Sequence, residues 1–392
     1  MVCIRIASFL WTRDNIFSNG NKAHMTVRIL ILGGYGTFGS YIARKLSQEK
    51  DLHITIAGRS EKKAKAAAQI VDVSWHIVDI NTGLDDALRI VNPHIVIHTC
   101  GPFQGQNYHV AEACITYGCH YIDLADGRDF VANISTLDEK AKRNNVAVIT
   151  GASSVPCLTS ALIDHYQHHD FNKIEEIDYA ITTAQHTNLG LATTSAIMSY
   201  VGKPFFTLEN GIMRKVYGWQ DLCIKAYPGL GWRLLGNCDI PDLELFPSLY
   251  KNLKAIRFRA GAEIPLIHMG LWSLSWLVRT NIIQSLSKYS DTLLKISHWF
   301  DRLGSGESGF HMTLRGVDKN NTPLEKTTYI IARSAHGPYI PSAPAILCAK
   351  MLARDLLTKR GAFPCVGFIS LEQYYNELKS LDIEIINTQS CN

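Results

Sequence analysis

Twenty residues, Val27 to Leu46 (VRILILGGYGTFGSYIARKL), constrain this chain more than any other stretch. Apart from Arg28, the run from Val27 to Leu32 is apolar and rich in β-branched residues, the pattern of a strand buried on both faces. Glycines follow at Gly33, Gly34, Gly36 and Gly39. Phe38, Ile42 and Leu46 then recur at helical spacing, so that one face is apolar. Strand, glycine turn and helix form the context in which a GxGxxG spacing signals a dinucleotide site. Gly34 is expected to allow the tight turn, Gly36 to let backbone approach a diphosphate, and Gly39 to let helix and strand pack closely. The diphosphate would rest on N–H groups at the positive end of the helix.

At 392 residues the chain is too long for one ordinary core and long enough for two domains. A formal charge of +4 without a dense Lys/Arg block gives no reason to expect nucleic acid. Ten cysteines occur without CxxC or zinc spacing, which reads as reduced thiols in a cytoplasmic protein. Residues 1–24 are interrupted by Arg5 and show no cleavage signal; translation from Met25 would leave them as a disordered or mis-assigned tail. The apolar run Ile264–Val278 is fifteen residues long and contains Pro265 and His268. A span needs roughly 20, so a buried or surface-lying helix is expected, with peripheral membrane contact left open.

A second strand, His53 to Ala57, ends at Gly58-Arg59-Ser60. An acidic residue there would bind the ribose 2′-hydroxyl of NAD; Arg59, aided by Ser60, suits the 2′-phosphate of NADP instead. A helix over Lys62–Ile70 leads to a third strand ending at Asp79, which is grouped with the cofactor residues. Asn81 or Thr82 would cap the helix carrying Leu84, Leu88 and Val91. The fourth strand, Ile95 to Thr99, stops at Cys100-Gly101-Pro102, and the fifth, His120 to Leu124, delivers Tyr121 and Asp123 to the same edge. Ligands bind outside the carboxyl ends of such strands, so Asp123 is the candidate catalytic residue and Tyr121 a substrate contact. One long helix through Lys142 and a sixth strand, Val146 to Thr150, complete a doubly wound parallel sheet. Ser153, Ser154 and Pro156 mark a helix start at that edge, where the two serines would contact substrate. His165, His168 and His169 share a helix, but without an HExxH context no metal is assigned.

From Ile174 strand-like runs (177–182, 205–208, 255–260, 310–317 and 328–332) alternate with two helical stretches between Ile264 and Leu303. This is an α+β second domain following the first. The expected division is a 1–24 tail, a 25–152 Rossmann-type domain and a 153–340 substrate domain. A 341–392 helical segment would pack back on the first domain through a helix, 342–358, with Ile346, Met351 and Leu356 on its apolar side.

GGYGTFGSYIARKL, AGRS, TCGPFQGQ, HYIDLADG and GASSVP, in this order, resemble the saccharopine dehydrogenase-like oxidoreductases. The tail, GPYIPSAPA then GAFPCVGFISLEQYYNEL, is similar to their bacterial branch. The resemblance implies an NADP-binding domain using Gly34, Gly36, Thr37, Phe38 and Gly39, with Arg59 and Ser60 at the adenosine ribose. It also implies that Cys100, Gly101 and Pro102 lie near the nicotinamide, and that hydride moves to or from a C=N or C=C, or else a C=O, bond. No arginine cluster able to grip several substrate carboxylates stands in the second domain. Two other readings stay open. One is a non-catalytic NADP-binding sensor or scaffold. The other is an atypical short-chain reductase, whose Tyr-xxx-Lys is met only at Tyr250–Lys254 and Tyr375–Lys379. A small-molecule substrate is the expected partner, with a homodimer left open.

Overall fold

The computed structural model describes residues 26–187 and 190–390, so the expected 1–24 tail lies outside the described residues. The chain opens with β1 (Val27–Leu32), α1 (Thr37–Leu46), β2 (Leu52–Gly58), α2 (Glu61–Val71), β3 (Ser74–Ile77) and α3 (Leu84–Val91). β4 (Ile95–His98), α4 (His109–Thr116) and β5 (His120–Asp123) continue the alternation. Ile29 to Leu32 have no exposed surface. Ile29 and Ile31 enter one core and Leu30 and Leu32 the other, as alternate side chains of a strand covered on both faces must.

Three sequence expectations are corrected here. The helix capped by Asn81 or Thr82 instead begins after Gly83, because Asp79 Oδ1 accepts hydrogen bonds from both the Asn81 amide and its side chain and turns the chain earlier. The single long helix through Lys142 is broken into α5 (Arg128–Ala132), a 3₁₀ turn and α6 (Asp138–Arg143). After β6 (Ala147–Thr150), Val155 keeps extended dihedrals, so the regular helix α7 (Thr159–His169) starts several residues beyond Ser153.

The second domain begins with the 13-residue β7 (Phe171–Thr183) and α8 (Gly190–Tyr200). The hairpin β8 (Pro204–Glu209) and β9 (Ile212–Tyr217) follows, then β10 (Cys223–Tyr227), β11 (Gly231–Asn237), α9 (Asp242–Leu249) and β12 (Ala255–Ala262). A helical cap, α10 (Pro265–Arg279) and α11 (Ser290–Ser297), precedes the long hairpin β13 (Ser308–Asp318) and β14 (Pro323–Ala332). Among the described residues no helix is long and apolar enough to cross a membrane.

The tail returns to the first domain, though not as helix alone. Helix α12 (Ala343–Ala353) is followed by β15 (Gly361–Pro364), α13 (Leu371–Leu378) and β16 (Ile383–Ser390). Strand β15 adds to β6 in parallel, making the first sheet seven-stranded in the order β15-β6-β5-β4-β1-β2-β3. Strand β16 pairs with β14 and closes the second sheet, β10-β11-β12-β7-β13-β14-β16. The second domain is thus inserted between two strands of the first sheet. On α12 the side chains of Ala345, Ile346, Cys348 and Ala349 are fully buried, whereas Leu356 lies beyond the helix and is 69% exposed. One continuous core runs from Ile29 and Ile31 through Leu162 and Ile346 to Phe258 and Ile330, so the two sheets share packing.

Candidate active site

The carboxyl edge of the first sheet is shaped by the turn Gly33–Gly39. Gly33 takes the left-handed conformation (φ +78°), a role the sequence spacing gave to Gly34. The Gly33 and Gly34 amides both donate to Ala57 O, at 2.8 and 3.2 Å, which ties the turn to the end of β2. A Cβ on Gly39 would stand 2.5 Å from Gly33 O and 2.8 Å from Gly34 Cα, so only glycine lets α1 approach β1 this closely. Helix α1 starts at Gly36 without a side-chain cap. Beside Gly36 an added Cβ would meet only Gly33 O, at 3.2 Å; beyond it is open space. Gly36, Thr37 and Phe38 therefore present the positive end of α1 to a cavity, an arrangement that accepts a diphosphate.

At the end of β2, Arg59 is exposed and makes no ion pair or hydrogen bond among the described residues. Ser60 caps α2, its Oγ accepting from the Lys63 amide at 3.4 Å, while its own amide donates to the Tyr35 hydroxyl at 3.3 Å. Its hydroxyl proton remains available for a phosphate oxygen. An unpaired guanidinium beside a hydroxyl is a donor set suited to a 2′-phosphate. The residues thus fit NADP, whose nicotinamide supplies hydride chemistry when bound. Asp79 lies just past the carboxyl end of β3, with Oδ1 engaged by Asn81.

Between the two sheets lies a cavity of about 460 Å³. Gly36, Thr37, Phe38, Thr99, Gly101, Pro102, Ser153 and Ser154 line its first-domain side. The far side is formed by α8 and the face of the second sheet, with Ile181, Leu191, Ile197, Trp219, Phe258, Phe310 and Ile330. Leu158 and Ile240 add to an almost wholly apolar wall. Among the described residues no Lys, Arg or His lines it.

Three polar groups converge there that sequence reasoning missed. Gln104 Nε2 donates to Asp126 Oδ1 at 3.0 Å and to the Tyr200 hydroxyl at 2.8 Å. Asp126 and Tyr200 both line the cavity. Burial pushes the Asp126 carboxyl above its ordinary range, with the Gln104 donor opposing. Burial, with the nearby Asp126 charge, likewise raises the Tyr200 phenol. The third group, Asp239, is raised to about 6 by burial even though Arg128 is 3.0 Å away. Gln104 and Asp126 lie in TCGPFQGQ and HYIDLADG, just past the strand ends; that position was their signal. Tyr200, at the end of α8, had none.

The other nominated residues are placed differently. Asp123 is fully buried and does not line the cavity. Its Oδ1 accepts from the Ala125 and Gly151 amides and the Thr150 hydroxyl, each at 2.9 Å, which binds β5 to the turn after β6. Burial raises it to about 6. Tyr121 is also fully buried, its hydroxyl 3.0 Å from His98 Nδ1 and away from the cavity. The Cys100 side chain sits behind the turn, where burial raises the thiol to about 12. Of this set the fold brings Gly36, Thr37, Phe38, Gly101, Pro102, Ser153 and Ser154 to one cavity. Among the described residues no His, Cys, Asp or Glu group forms a metal site.

Residues 29–151 match the saccharopine dehydrogenase NADP binding domain family. No curated protein matches the sequence. In structure the chain is similar to saccharopine dehydrogenase (L-Glu forming) from Saccharomyces cerevisiae: TM-score 0.67 at 12% identity, covering 92% of this chain and 100% of that one. It is also similar to the homospermidine synthase of Legionella pneumophila, solved with NAD: TM-score 0.62 at 13% identity, covering 93% and 91%. Identities this low show a shared two-domain fold. The match over residues 29–151 shows that the first domain is an NADP-binding Rossmann domain of the saccharopine dehydrogenase type.

Proposed function

We propose that the chain is an NADP(H)-dependent oxidoreductase that transfers hydride to or from a C=N or C=C bond, or a C=O bond, of a small or lipid-like, uncharged substrate. The observation that carries this reading is the cavity beside the Gly36–Phe38 turn, apolar on most sides and, among the described residues, without a cationic lining residue. Binding a substrate with several carboxylates there would bury charges without partners, at a cost of several kcal/mol each. In this reading Gly34, Gly36, Thr37, Phe38 and Gly39 hold the diphosphate, and Arg59 and Ser60 the 2′-phosphate. Asp79 lies toward the adenosine side, and Cys100, Gly101 and Pro102 toward the nicotinamide. Ser153 and Ser154 contact substrate, while Asp123 and Tyr121 act as scaffold beneath the edge.

Convergence of Asp126, Asp239 and Tyr200 on the cavity favours an enzyme over a sensor, which would need no such polar groups at this edge. A short-chain reductase centre is disfavoured. The Tyr250 hydroxyl donates to Asp164, Lys254 pairs with Glu175, and none of Tyr250, Lys254, Tyr375 and Lys379 lines the cavity. The eight described cysteines are free, in keeping with a cytoplasmic protein. Peripheral contact with an anionic membrane surface is supported by the cap. In the turn that follows α11, Trp299 and Leu303 are 79% and 73% exposed, with the exposed cation Arg302 beside Leu303 in the chain. NADPH oxidation followed with decenoyl N-acetylcysteamine thioester, 2-methylpyrroline and saccharopine tests the function. Turnover of the uncharged acceptors only is expected; preference for saccharopine would refute the apolar-substrate reading.

A further inference from the structure

Hydride transfer to a polarised double bond leaves one requirement to the protein: the acceptor must also receive a proton. The cavity narrows the choice of donor. No histidine or lysine lines it among the described residues. Cys238 lines it, but burial and the neighbouring Asp239 and Asp126 charges raise its thiol well above the ordinary range. Asp239 lines it, but its Oδ1 is engaged by the Arg128 guanidinium in a 3.0 Å ion pair. Asp123 lies behind the wall with three donors on one oxygen. Asp126 differs from all of these. It faces the cavity, no cation stands within ion-pairing distance among the described residues, and its recorded side-chain partner is the neutral Gln104 amide.

The Gln104 amide has a second consequence. Both of its N–H bonds are used, one toward Asp126 Oδ1 and one toward the Tyr200 oxygen. Tyr200 therefore accepts in this contact, and its own O–H remains to be given to something else in the cavity. The three residues come from the loop after β4, the loop after β5 and the end of α8, so the arrangement spans both domains and exists only when the cleft is assembled.

We propose that Asp126 is the proton donor of the reduction, that Tyr200 holds the acceptor's heteroatom by a hydrogen bond, and that Gln104 positions both. The proposal rests on the oxidoreductase reading above and adds the chain's own chemistry to it. In the reductive direction the C=X π bond breaks as hydride, carrying both electrons, reaches carbon. The opposite end of the bond takes the carboxyl proton of Asp126, which is left as a carboxylate and recovers a proton from solvent after product leaves. For a C=N acceptor that end is nitrogen; for a conjugated C=C it is the α-carbon, with Tyr200 on the carbonyl oxygen. Desolvation raises the Asp126 carboxyl above its ordinary range, the direction that favours its acid form. The titratable groups facing it are Tyr200 and Cys238, with the Asp239–Arg128 pair beyond, and none of them is cationic at contact distance.

The test uses the full chain with NADPH and the uncharged acceptors, decenoyl thioester and 2-methylpyrroline. Wild-type kcat should be level at low pH and fall tenfold per pH unit above the Asp126 pKa, because the protonated acid is the active form. Asp126→Asn should lower kcat by about a hundredfold or more and abolish that limb, with KM, NADPH affinity and melting temperature little changed. Asp126→Glu should restore the limb, and Tyr200→Phe should raise KM while keeping it. If Asp126→Asn is unstable, the Asp126→Glu profile decides: a limb moved in pH supports the assignment, an unmoved limb overturns it. Asp126→Asn turnover near wild type, or a limb that survives it, overturns the proposal while the functional reading stands. No turnover by wild type that binds NADPH overturns both.

Discussion

Replacing Arg128 with Met removes the cation that joins the domains at the rim of the cavity. Arg128 lies on α5 of the first domain and is 9% exposed. Its guanidinium donates to Phe206 O at 2.8 Å, Asp239 Oδ1 at 3.0 Å and Glu244 Oε2 at 2.7 Å, all in the second domain. The two carboxylates contribute unequally. The Glu244 side chain is 54% exposed, so solvent screens that contact to within about 1 kcal/mol. The Asp239 side chain is 14% exposed, and stripping a buried carboxylate of its partner costs about 3–5 kcal/mol. The effect should depend on pH in a set direction. Asp239 in the native chain sits at about 6, above its ordinary value of 3.8, so the folded state already binds protons more readily than the unfolded one. This group therefore favours folding at low pH and loses that advantage as pH rises through about 6. Without Arg128 its pKa rises further. The deficit of the variant should then be largest near pH 8 and shrink by up to about 1.4 kcal/mol per pH unit on descent toward pH 6. Chemical unfolding followed by tryptophan fluorescence at both pH values measures this. Two domains need not unfold together, so the change with pH is the informative quantity rather than the absolute midpoint. A deficit equal at both pH values would refute the assignment of the energy to Asp239.

Arg59→Ala should weaken NADPH about ten- to a hundredfold, the roughly 1.5–3 kcal/mol of a charge-assisted contact, and leave NADH unchanged; titration calorimetry with both cofactors reads the difference. Trp299→Ser combined with Leu303→Ser should abolish flotation with vesicles containing phosphatidylglycerol without lowering the melting temperature, since both side chains are largely exposed. Wild type that fails to float removes the membrane contact.

The first sheet was legible because its signals are local. A doubly buried strand, a glycine turn and an amphipathic helix fall within the twenty residues Val27–Leu46, and the same alternation recurs five more times. What escaped depends on partners distant in the chain. Strand β15 is only GAFP, too short and too bounded by Gly and Pro to read as a strand. It forms because the edge of β6, more than two hundred residues earlier, is open to pair with it. One miss was local: the helix expected through Lys142 passes through Asn133, Ile134, Ser135 and Thr136, all weak helix formers, and there Asn133 ends its first piece and the chain re-enters through a 3₁₀ turn. At the site, a strand-end position located the loop correctly without saying which side chain enters the cavity. Asp123 turns back to clamp Gly151 while Asp126, three residues on, faces the cavity. Tyr200 was invisible because only the closing of the second domain brings it to Gln104.

The central claim is hydride transfer between NADP(H) and an uncharged acceptor in the cleft between the two sheets. Its most direct test is a single turnover with NADPH deuterated at the nicotinamide C4, using decenoyl thioester and 2-methylpyrroline in separate reactions, followed by mass spectrometry of the product. The account predicts that one deuterium appears on a carbon of a reduced product, and that the label is lost from the cofactor in the same proportion. NADPH that binds tightly yet retains its label with both acceptors would contradict it.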